Sequence, residues 1–225
     1  MSFDTTIKTA SDINLAMARV YNNMFFAVLT SMVVSYFVGT SPDLLQFFFT
    51  GITKWIVIFA PLAFIFAVPV LLNSGIGRSG KLLVLHSFAA LMGLSFATIF
   101  AVYSMGSIFS AFMGAAVLFG TMSVYGYFTK TNLDSMGKFM FVGLIAIIIV
   151  SLINIFIGST LIQMVVSALA IIIFLGLTAY DTQKIREQIM YSNFDDSAEI
   201  SGALTLYLDF INLFLNLLNL FGDRK

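Results

Sequence analysis

Cysteine is absent from these 225 residues, and histidine occurs once, as His86. Disulfides, zinc–thiolate sites and iron–sulfur clusters are excluded, and His86 alone cannot build an imidazole metal site. Charge is also scarce: 11 Lys and Arg with 11 Asp and Glu make up 10% of the chain, where a soluble domain carries about 25%. The formal net charge is zero, which leaves no electrostatic footprint for nucleic acid. Proline is limited to Pro42, Pro61 and Pro69, so no later apolar run is interrupted by it. The last apolar run has no lysine, which excludes a Schiff-base chromophore there.

What is present is apolar. Hydrophobic residues are 60% of the chain, 25 of them Phe, and the mean hydropathy is +1.00. The composition specifies an all-α integral membrane protein forming a single domain. Apolar runs are expected to cross the bilayer at about 24–38, 55–72, 82–103, 107–128, 139–157, 161–180 and 203–221. Each is near the ~20 residues a crossing needs. Residues 1–19 are polar to amphipathic, with Ser11-Asp12 able to cap a short helix, and they do not read as a cleaved signal. Residues 44–54 suit the interface, and Pro61 and Pro69 predict a kink in the second span. In the third span Ala89, Gly93, Ala97 and Ala101 recur every four residues, a small face that admits a close neighbour. Gly106, Ser110 and Gly114 repeat that pattern in the fourth.

Loop charge predicts the orientation. With the N-terminus cytoplasmic and seven crossings, the inside holds Lys8, Arg19, Arg78, Lys81, Lys130, Lys138, Lys184 and Arg186, and the outside only Lys54, Arg224 and Lys225. That asymmetry follows the positive-inside rule. Arg224-Lys225 fits it poorly, and a last segment that entered and returned would remove the conflict. An unbroken helix is favoured because no Pro or internal Gly interrupts it.

Polar residues inside the apolar runs are the candidates for function. The stretch 204–221 carries Asp209, Asn212, Asn216 and Asn219, which fall within an arc of roughly 80° on a helix. Lipid cannot sit on that face, so this helix occupies the middle of a bundle or lines a water-filled path. The asparagines either bond neighbouring helices or line a pore. Asp181 ends the sixth run, and consecutive antiparallel helices allow it to meet Asp209 if the sixth helix continues through Lys184 and Arg186. Two carboxylates at one site cannot both ionise cheaply and can share a proton. Such a pair is a pH sensor, and its oxygens also suit a hard cation such as calcium. The alternative for Asp181 is an interfacial pair with Lys184 or Arg186. Arg78 is read either as a topology marker or as a latch on the acids, His86 as structural, and Asp195, Asp196 and Glu199 as a solvated loop.

The stretch Leu206-Tyr207-Leu208-Asp209-Phe210-Ile211-Asn212-Leu213-Phe214, followed by Asn216-Leu217-Leu218, resembles the last helix of the Bax inhibitor-1 family. Ala179-Tyr180-Asp181-Thr182-Gln183 is similar to that family's signature at the end of the sixth helix, and Ala18-Arg19-Val20-Tyr21 and Gly93-Leu94-Ser95-Phe96-Ala97 to its weaker patterns. The resemblance covers nearly the whole chain. It implies seven transmembrane helices with the last one central and enclosed by the other six. It also implies a pH-sensitive calcium leak in which Asp181 and Asp209 are the hydrogen-bonded sensor pair, with calcium the transported ion and no cofactor. An Arg after the second helix is implied to engage one aspartate, and Arg78 is the candidate. Short loops point to a bacterial inner-membrane protein whose partners are the bilayer, protons and calcium.

A non-conducting regulator that binds a membrane protease is the alternative, because some bacterial relatives are associated with such proteases. An enzyme is not expected. Tyr180-Asp181 fits half of an intramembrane aspartyl protease, but Asp209 lacks a glycine-rich context and no proline lies late in the chain.

Overall fold

A computed structural model describes residues 9–191 and 194–225. Lys8 and the rest of the first eight residues lie outside it. Among the described residues there are nine helices: α1 (Ala10–Gly39), α2 (Pro42–Phe49), α3 (Thr53–Leu72), α4 (Arg78–Ser95), α5 (Thr98–Val102), α6 (Met105–Phe128), α7 (Asp134–Ile157), α8 (Thr160–Tyr191) and α9 (Asp196–Phe221). Seven stretches are long and apolar enough to cross a bilayer, α4 and α5 counting together as Arg78–Val102. The protein is an all-α, multi-pass membrane protein. Helix α7 buries only Gly137 and Ile147, as a largely lipid-facing helix requires.

Several helices extend past their apolar runs, each for a local reason. The expected short N-terminal helix and the first span are one helix. Thr9 and Asp12 form a reciprocal capping box at its start, which satisfies orphan N–H groups before the apolar part begins. Helix α8 runs on to Tyr191, eleven residues past the expected end at Tyr180, through a segment without a breaker. Helix α9 begins at Asp196 rather than 203, because the Asp195 carboxylate accepts from the Ala198 N–H at 2.9 Å. The Asp195–Glu199 run, expected as a solvated loop, is therefore the start of a helix. Helix α4 starts at Arg78, inside the expected loop, and α3 stays helical through Pro61 and Pro69. Helix α2 buries no residue and exposes Leu44 and Phe47, consistent with the interfacial position expected for 44–54.

The chain forms two compact units. The first comprises the described residues of Met1–Ser104, Tyr191–Tyr207 and Arg224–Lys225. In it α1 packs on α4 along the small-residue face. A Cβ placed on Gly93 would lie 2.5 Å from the Ser31 carbonyl oxygen, so only glycine admits α1 this closely. The Ser31 hydroxyl reaches the Ala89 carbonyl and the Tyr207 hydroxyl, each at 2.7 Å. Arg78, at the start of α4, bonds Asp196 and Glu199 at the start of α9. Lys225, beyond the end of α9, bonds the Phe100 and Val102 carbonyls at the far end of the same span. The segments at the two ends of α9 are thus bonded to the two ends of the Arg78–Val102 span, and α9 itself is unbroken over about 39 Å at 1.5 Å per residue. A segment that entered and returned on the same side would not join both ends.

The second unit comprises Met105–Met190 and Leu208–Asp223. Helix α8 contacts α6 through Gly126, which faces the Ala179 backbone, and α7 through Gly137, which faces the Tyr180 ring. Gln183 holds the connection before α7, accepting from the Leu133 N–H and donating to the Thr131 carbonyl, both at 2.9 Å. Phe112, Phe119, Phe210 and Phe214 form an edge-to-face cluster between α6 and α9.

Candidate functional site

The platform for Asp181 is α8, fixed on either side of that residue. Before it, the Ala179 backbone lies against Gly126 and the Tyr180 ring against Gly137. After it, Thr182 is fully buried and Gln183 is bonded at both ends of its amide. Asp209 is on α9 one turn before Asn212 and only 4% exposed. The two carboxyl groups lie close enough to interact directly. Among the described residues, Oδ2 of Asp209 is buried with no hydrogen-bond partner. A hydrogen bond between two carboxyls contains a proton that one of them must carry; without it the pair repels.

The cations weighed as partners for Asp181 are engaged elsewhere. Lys184 bonds Asp134 at 2.6 Å and Glu187 at 3.0 Å, and Arg186 lies over the Tyr127 ring at 5.1 Å. Among the described residues no group of three or more His, Cys, Asp or Glu side chains is arranged to hold a metal. Calcium at the pair would have only these two carboxyls from that set.

The asparagines divide. Asn212 and Asn216 donate to the carbonyls of Leu208 and Asn212, one turn back on their own helix, at 2.8 Å each. Asn219 bonds α8 instead, donating to Ser167 at 2.9 Å and accepting from Gln163 at 2.8 Å. The polar face of α9 is thus an interhelical contact at one end and self-satisfied in the middle.

A second buried acid lies in the other unit. Glu199 is 2% exposed. Its Oε1 accepts from Arg78 Nη2 at 2.6 Å and Asn23 Nδ2 at 2.7 Å, and its Oε2 from Arg19 Nε at 2.9 Å and Arg78 Nη1 at 3.2 Å. Arg78 Nη1 also reaches Asp196 at 2.6 Å. Lys81 donates to the Ser197 hydroxyl, which donates to the Leu72 carbonyl. Arg78 does latch carboxylates, but they are Glu199 and Asp196. Asp195 stays at the edge of this group, exposed, and the Ala198 N–H donating into it holds its carboxyl below the ordinary carboxylate range.

Sequence reasoning missed Glu199 because it ended the last helix where hydropathy fell. The signal was an Asp N-cap with acids in the following turn, which a helix N-terminus favours. His86 on α4 meets Thr30 on α1. The Thr30 hydroxyl, 2.9 Å from its Nδ1, is 2.8 Å from the Phe26 carbonyl.

Known proteins match this chain along most of its length. The family model described as Inhibitor of apoptosis-promoting Bax1 matches residues 13–225. Inner membrane protein YbhL of Escherichia coli K12 is 38% identical over 99% of this chain and 97% of its own. An uncharacterized protein of Rickettsia prowazekii is 37% identical over 93% of this chain and 89% of its own. One from Deinococcus radiodurans is 34% identical over 98% and 95%. With near-complete coverage on both sides and the family match reaching from α1 to residue 225, this multi-pass membrane protein belongs to the Bax inhibitor family.

Proposed function

We propose that this protein is a pH-sensitive calcium leak channel of a bacterial inner membrane, gated by protonation of the Asp181–Asp209 pair. The observation that carries this reading is the contact of two carboxyls with each other and, among the described residues, with no bonded cation. With one proton between them the acids attract. Without it they repel, and the relief open to them is movement of α9 or α8.

Helix α9, enclosed by the other six spans, would then line a path along Asn212 and Asn216, with Asn219 at its end. Calcium is the cargo, and carboxylate and amide oxygens are the ligands a hard cation prefers. The distribution of Lys and Arg supports a cytoplasmic N-terminus, which puts both acids nearer the cytoplasmic side. Arg78 serves in this reading as the anchor of the start of α9 and not as a lock on the pair.

The test is calcium flux into liposomes holding the purified protein, measured at several pH values. Replacing both acids, Asp181→Asn with Asp209→Asn, is expected to abolish the pH dependence. An unchanged pH profile would remove the sensor. Absent flux at every pH, with a membrane protease co-purifying, would instead favour the non-conducting regulator.

A further inference from the structure

Arg186 is a charge the proposed gate does not use. Among the described residues its guanidinium has no carboxylate partner and its Nε is buried without an acceptor, and it lies over the Tyr127 ring at 5.1 Å. Nearby acids are committed: Asp134 and Glu187 to Lys184, Asp181 to Asp209. A half-buried guanidinium in this position is only partly compensated by the aromatic face. With Nε buried, the groups left to donate are the two terminal nitrogens. They form a fork that matches two oxygens of a phosphate.

The surroundings indicate where that phosphate comes from. Arg186 is six residues past Tyr180, where the apolar run of α8 ends, roughly 9 Å along the helix. That is close to the depth of the headgroup layer outside a hydrocarbon core of about 30 Å. The guanidinium stacks on Tyr127, and the Tyr127 ring meets Phe128 edge-on at 4.9 Å. Phe128 is 73% exposed and ends α6, with Val124 exposed one turn before it. A cation, an aromatic shelf and an outward apolar surface therefore follow one another across the boundary.

We propose that Arg186, seated on the Tyr127 ring, binds the phosphate of an anionic phospholipid, with an acyl chain lying along Phe128 and Val124. The site is separate from the gate, and its test does not depend on flux. Purified protein is equilibrated with mixed micelles of phosphatidylglycerol and phosphatidylcholine, and the lipids retained are counted by native mass spectrometry. The wild type is expected to prefer phosphatidylglycerol. Arg186→Gln is expected to lose that preference about five- to tenfold, while Lys130→Gln, a change at an exposed lysine beyond α6, keeps most of it.

Should Arg186→Gln fail to fold, Tyr127→Leu decides, with an expected loss of about threefold. An unchanged preference in whichever of these two variants folds overturns the site. Soluble glycerol phosphate is the second probe. Displacement of phosphatidylglycerol only at far higher concentration supports a lipid ligand. Displacement at equal concentration assigns the site to a free phosphate and overturns the lipid.

Discussion

Two buried acids lie ten residues apart on one helix, and their company is opposite. Glu199 accepts from four nitrogen donors on Arg19, Asn23 and Arg78. Asp209 meets another acid and leaves one oxygen without a partner. The first arrangement makes charge tolerable at a buried point by surrounding it with donors. The second makes charge costly and so ties the local structure to a proton. One site is held by its donors, and the other is the one the proposed gate would use.

The largest effect should come from removing the platform of the second acid pair. A side chain at Gly126 would collide with the Ala179 backbone, two residues before Asp181. Gly126→Val is expected to cost about 3 kcal/mol or more, seen as loss of folded protein in detergent thermal unfolding. An unchanged melting temperature would mean that α6 and α8 are not held at that spacing.

Next comes Arg78→Ala, which strips two donors from buried Glu199. Breaking a buried pair costs about 3–5 kcal/mol. Because the Arg78 side chain is 39% exposed, solvent screening reduces the expectation to about 2 kcal/mol. Glu199→Gln should behave similarly, since its amide N–H groups would face guanidinium groups. Asp209→Asn should have the opposite sign. An amide there can donate to Asp181 without any shared proton, so stability should hold or rise by about 1 kcal/mol. If both variants melt lower by the same amount, the contrast between the two acids is void.

The smallest effect belongs to Asp195. Its carboxyl is held below its ordinary range by the Ala198 N–H. A depressed carboxyl contributes stability that is present above its unfolded value, near pH 4, and is lost as pH falls through the lower folded value. Asp195→Ala should therefore cost about 0.5 kcal/mol at neutral pH, and the difference should fade below about pH 4. A difference that grows on acidification would contradict the cap.

What could be read from residue order follows the range of the interactions. The seven crossings were legible because hydropathy is a property of contiguous residues. Asp181 and Asp209 were legible because consecutive helices must be neighbours, and because no breaker follows Tyr180. The small face at Ala89 and Gly93 was legible as periodicity, although its neighbour α1 was not. Glu199 was not legible: Arg19 and Arg78 are 180 and 121 residues away in the chain, and polar residues 195–202 look like a loop until those partners are known. The asparagines share a face, but position on a face does not tell a bond to a neighbour from one to the helix's own carbonyl.

Helix α9 carries a consequence for biogenesis. One acid near the middle of a membrane helix costs about 2.5–3.5 kcal/mol at insertion, and α9 holds Asp209, three asparagines and, at its entry, Glu199. When it leaves the ribosome, Arg19, Arg78 and Asp181 have already been made and can receive it. The last helix is thus expected to fold into waiting partners rather than partition into lipid alone. Supplied to an insertion assay without residues 1–190, α9 should remain largely outside the bilayer.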